Sequence, residues 1–165
     1  MGQNTQFAED IRNRHDAILK DWIAYQQSSL TLRGDLVKES DLRETSRQFL
    51  DLFCEAFASS ADSASPAWKP VKDNLAEISK APALQGFSPS ETATFVFSLK
   101  QPLFNLAQQR AGQDGKQLAQ ILWDLTVLLD RLGLHTTEVY QESRESVILR
   151  QQQEMMELST PVVQL

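Results

Sequence analysis

Few side chains in this sequence combine the type and spacing that chemistry demands. The two histidines, His15 and His135, are the candidate axial ligands for a haem or a metal ion. His15 is the better placed, because it falls within an apolar stripe with Ile11, Ile18 and Trp22. No second ligand type stands three or four residues beyond it, so a core or interface histidine with satisfied ring nitrogens is the competing reading. The same choice holds for His135. Cys54 sits in Leu52-Phe53-Cys54-Glu55 without a neighbouring base and reads as a buried, inert thiol. Glu138, Glu142 and Glu145 share one helix, where surface solvation explains them better than acid–base work. A glycine-rich phosphate loop, a G-x-S-x-G elbow and an H-E-x-x-H pair are all missing from the sequence. No catalytic residue and no metal site are predicted.

The elements that would position these groups must come from one domain of 165 residues. A chain of that size buries roughly two thirds of its unfolded surface without help from metal or disulfide. One cysteine excludes an internal disulfide. A net charge of −6, with basic residues scattered singly, argues against nucleic acid and anionic lipid as partners. The N-terminal MGQNTQFAEDIRNRHD has no apolar signal core, and no apolar run reaches the ~20 residues that span a bilayer. The expected compartment is the cytoplasm.

Helical spacing recurs along the whole chain. A first helix is expected from Phe7 to Gln27, with Phe7, Ile11, Ile18, Leu19 and Trp22 inward, and Ser28 to Lys38 as a connector broken by Gly34. A second covers Ser40 to Ala58, capped by Ser40 or Asp41. Leu42, Phe49, Leu50, Phe53 and Phe57 form its inner face, and Asp41, Arg43, Glu44, Arg47 and Asp51 its solvated face. Trp68, Val71, Leu75 and Ile78 make a third helix, ended near Pro82. Ser88, Pro89 and Glu91 then spell N-cap, N1 and N3 of a capping box. The helix they open carries Phe95, Leu99, Leu103 and Leu106, with a bend expected at Pro102. The aromatic set, which includes Trp22, Phe49, Phe95, Phe97, Phe104 and Trp123, is core by spacing, or lines an apolar pocket.

Asp114 with Gln117 opens the last helix. Its first half is dense in leucine, from Leu118 to Leu132, and Gly133 is not expected to end it. Beyond Thr136 the apolar stripe thins. Ile148, Gln151, Met155 and Leu158 step by three, four and three, as a coiled-coil seam does. With Val139 and Val147, these four are the candidate signal-relay residues. Ser159-Thr160-Pro161 is expected to stop the helix, and Val162-Val163-Gln164-Leu165 reads as the beginning of a strand. The organisation expected is a body over 1–134, a continuing linker helix over 135–158, and the start of a further domain at 159–165.

The run Gly86-Phe87-Ser88-Pro89-Ser90-Glu91-Thr92-Ala93-Thr94-Phe95-Val96-Phe97-Ser98-Leu99-Lys100 resembles a signature of the N-terminal domain of stressosome RsbR proteins. Leu128 to Leu132, Arg150 to Glu154, and Glu157-Leu158-Ser159-Thr160-Pro161-Val162-Val163 resemble the same family, the last at its entry into a STAS domain. Ile18, Asp21 and Trp22 fit its first helix more loosely. The resemblance implies an all-α, globin-like, dimeric sensory domain that projects from an assembly of STAS domains. It also implies an RsbS-type scaffold and an RsbT-type switch kinase as partners, reached through the STAS part. The globin proximal histidine would belong near Trp68 to Leu84, where this chain has none. No cofactor is therefore expected. The alternatives are a haem b sensor that uses His15 or His135, and a passive scaffold domain.

Overall fold

The computed structural model describes residues 2–29, 39–78 and 88–163, and among these the only regular structure is helical. The order is α1 (Gly2–Asn13), α2 (His15–Ser29), α3 (Glu39–Ser59), a 3-10 turn (Pro66–Trp68), α4 (Lys69–Ile78), α5 (Pro89–Phe97), α6 (Lys100–Ala111) and α7 (Gly115–Val163). The expected all-α class and long C-terminal helix are both found. Most of the connector from Ser28 to Lys38, the end of the third helix near Pro82, and Gly86 and Phe87 lie outside the described residues.

The expected inner face of α3 is fully buried, from Leu42 through Phe49, Leu50 and Phe53 to Phe57. Around it Trp22, Phe49, Phe95, Phe53, Phe57, Trp68 and Phe7 form a linked run of rings, tilted or edge-to-face except for the stacked Phe53–Phe57 pair. Such pairs add to simple area burial because ring edges meet ring faces. The indole N–H of Trp22 donates to Ser98 Oγ at 2.9 Å and to the Phe95 carbonyl, and that of Trp68 donates to the Ser60 carbonyl. Among the described residues, aromatic side chains occupy the centre.

Three boundaries differ from expectation. The first helix is two, because the chain turns at Arg14. Each half then keeps its own apolar face buried, with Phe7, Ala8 and Ile11 on α1 against α3, and Ile18, Leu19 and Trp22 on α2 turned towards α3 and α6. Pro102 gives a break between α5 and α6 rather than a bend. The ring of a proline crowds the carbonyl four residues earlier, here Ser98, and the helix restarts at Lys100 so that Pro102 occupies the first turn, where a missing N–H costs nothing. Finally, α7 does not stop at Ser159 but continues through Pro161 to Val163. With no strand among the described residues to pair with, a helical tail satisfies more of its own backbone than an extended one.

The caps expected at Ser88 and Asp114 are present, whereas α3 begins at Glu39, which places Ser40 and Asp41 inside its first turn. The Glu91 amide donates to Ser88 Oγ and the Ser88 amide to Glu91 Oε1, each at 3.2 Å, while the Gln117 amide donates to Asp114 Oδ1 at 3.1 Å. Gly133 lies inside α7, and the Phe97 ring of α5 rests where its side chain would be. A Cβ there would stand 2.2 Å from Phe97 Cε1. The glycine keeps α5 and α7 in close contact.

Candidate functional site

The 49 residues of α7 span about 70 Å at 1.5 Å per residue, and two environments divide them. Up to Thr136 one face is buried against α4, α5 and α6 through Ile121, Leu125, Leu128, Leu129 and Leu132. From Tyr140 to Ser159 every residue is exposed. This stretch stands clear of the body for about 30 Å.

The opposite face of α7 carries a discontinuous apolar series. Counting back from Ile148 by alternating steps of four and three reaches Gln141, Leu134, Val127 and finally Trp123. Trp123 is 67% exposed, so the expectation that it belongs to the core is corrected. Leu134 at 58%, Ile148 at 43%, Met155 at 70% and Leu158 at 77% follow in the same register. The seam foreseen over 148–158 therefore begins in the body, and the heptad spacing of Trp123 and Leu134 was the available signal. Its middle is polar, with Thr137, Gln141 and Arg144. Polar residues in such a seam favour one register at some cost in stability. Asp130 also falls on this face but is held by the Lys100 ammonium, which lies 4.9 Å above the centre of the Phe97 ring.

The other candidate relay residues occupy different faces. Val139 is half-buried on the side of α7 that faces the body, and Val147 is 39% exposed beside the seam. Leu149 and Met156 are exposed on a further face.

Both candidate histidines have charged neighbours. His15 begins α2, with Nε2 2.7 Å from Asp51 Oδ1 in an ion-pair contact set off the hydrogen-bond line, and Nδ1 3.6 Å from Asp16 Oδ1. Both ring nitrogens thus face carboxylates instead of an apolar cavity. Asp51 in turn meets Arg47, which also binds Glu44, so the solvated face of α3 is the ion-paired surface its spacing suggests. His135 is half-buried in a pocket of about 220 Å³ with Lys72, Arg131 and Glu138. Cys54 is buried on the inner side of α3, and desolvation pushes its thiol up to about 12, which removes the thiolate that reactivity needs. Among the described residues no three His, Cys, Asp or Glu side chains group as metal ligands, and no helix is long and apolar enough to cross a membrane.

No curated protein and no solved structure matches the chain. Residues 16–155 match the family described as the N-terminal domain of the RsbT co-antagonist protein rsbRD. The chain belongs to that family, as a stressosome RsbR-type N-terminal domain.

Proposed function

We propose that this domain is the non-catalytic input unit of a cytoplasmic stressosome protein and works as a homodimer. Two copies would meet along the Trp123–Leu158 seam of α7. The globin-like topology implied by the sequence resemblance belongs to the same reading. A stimulus received in the helical body alters the packing of the pair, and α7 conveys that change to a STAS domain that follows. There it sets how firmly an RsbT-type kinase is retained beside an RsbS-type scaffold. The observation that carries this reading is the continuity of α7, one unbroken helix that is core-packed at one end and clear of the body at the other. Such a lever transmits only if the stimulus favours one of two packings over the other.

The test is Val147→Pro in the full-length protein assembled with scaffold and kinase. A proline in the helix interior costs about 3 kcal/mol and breaks the lever without touching the body. Kinase release is expected to become insensitive to stress. Release that stays as responsive as in the unaltered protein would sink the proposal. A haem b sensor has weaker support, because His15 faces two carboxylates and His135 lies among charged side chains. A haemin titration that gave a saturable Soret band, lost in His15→Ala or His135→Ala, would restore it. A passive scaffold predicts that Val147→Pro changes assembly order but not release.

A further inference from the structure

The pocket at the neck, where α7 leaves the body, brings together several donors with few acceptors among them. Its walls are Ser63 from the loop after α3, Lys72 of α4, and Arg131, Leu134, His135 and Glu138 of α7. Among the described residues Lys72 forms no ion pair, in contrast to its neighbour Lys69, which binds Asp73 at 2.8 Å. Arg131 approaches only Asp62, at 3.9 Å, beyond hydrogen-bond reach. That Asp62 oxygen already accepts the Ala64 amide at 3.0 Å, so the loop is held in place without Arg131. Glu138 is exposed at the rim and pairs with none of these cations within 4 Å.

A guanidinium, an ammonium, an imidazole and a hydroxyl facing a common space of about 220 Å³ suit one chemical class. We infer that this pocket binds a small oxyanion, a phosphate group above all. Arg131 would supply the planar fork of donors that matches phosphate oxygens, and Lys72 a point charge across from it. Asp62 and Glu138 oppose the anion, which keeps affinity modest and makes the site reversible. Occupancy would tie α4 to α7 at the turn that carries Leu134, a seam residue. That coupling rests on the relay reading, whereas the binding does not.

The test is a titration of this chain with inorganic phosphate at constant ionic strength, followed by side-chain NMR of His135 and Arg131 and by calorimetry. Saturable binding is expected, weakened at least tenfold in Lys72→Gln and in Arg131→Gln. It should be strengthened several-fold in Glu138→Gln and unchanged in Arg144→Gln on the exposed tail. A parallel titration with glycerol phosphate separates sources: equal binding marks the phosphate group as the recognised unit, and binding of inorganic phosphate alone marks the free ion. Absence of saturation, or binding that survives both cation substitutions, overturns the inference. Phosphate binding alongside normal kinase release in Val147→Pro would keep the site and discard the relay.

Discussion

The two halves of α7 share one backbone and differ in almost everything else. Between Leu118 and Thr136 the helix exists because α4, α5 and α6 cover its leucines. Between Tyr140 and Ser159 nothing among the described residues covers it. An isolated helix of that length is marginal in water, so its order draws on the nucleus supplied by the buried half and on whatever occupies its seam. A domain that only needed to fold would have no use for the second half. The contrast places the buried leucines in one half and an exposed surface in the other.

The largest expected effect tests that division directly. Leu129→Ala removes a fully buried side chain and should cost about 2–5 kcal/mol, whereas Leu149→Ala, the same change in the same helix, should stay within about 0.5 kcal/mol. Denaturant unfolding of both variants measures the difference. Equal losses would show that the tail is packed in solution against something not seen in the single chain.

Next in size is the contact that fixes α7 on α5. In Gly133→Ala the new methyl group meets the Phe97 ring, and overpacking of this kind costs about 1–3 kcal/mol. The gain in helix propensity, about 1 kcal/mol, opposes it and is the smaller of the two. A thermal midpoint a few degrees lower is expected, and Phe97→Leu should recover part of it, since the two residues touch. A raised midpoint in Gly133→Ala alone would mean that Phe97 swings away freely and that the α5–α7 contact is loose.

How much of this was legible beforehand differs between the same two regions. In the body, burial imposes a strong period, and the inner face of α3, the Ser88 capping box and the inert Cys54 could all be read from residue types. The breaks at Arg14 and before Lys100 could not, because they depend on which neighbours each half-helix meets. Trp123 was misplaced for a related reason. A tryptophan among leucines looks like core until its heptad register with Leu134 and Ile148 is counted. Between Tyr140 and Ser159 nothing is buried, and Pro161 with the valines after it reads as a stop and a strand, although the helix passes through them. The pocket at Lys72, Arg131 and His135 was illegible as a unit, since α4 and α7 are brought together only by the fold.

The smallest effect concerns the body's own exposed surface, where the physics should resemble that of the tail. Arg47 donates to Glu44 and holds its carboxyl below the ordinary value of 4.5, chiefly through that hydrogen bond. A carboxylate with a depressed folded pKa stabilises the fold above its unfolded pKa, and the contribution fades as pH falls through the folded value. Glu44→Gln should therefore lower the thermal midpoint slightly at neutral pH and converge with the unaltered chain in acid. Because both side chains are solvated, the gap at neutral pH should shrink further in high salt. A gap that persisted in acid and in salt would mean that Glu44 acts by packing, and that the division between buried and exposed halves does not extend to the outer face of α3.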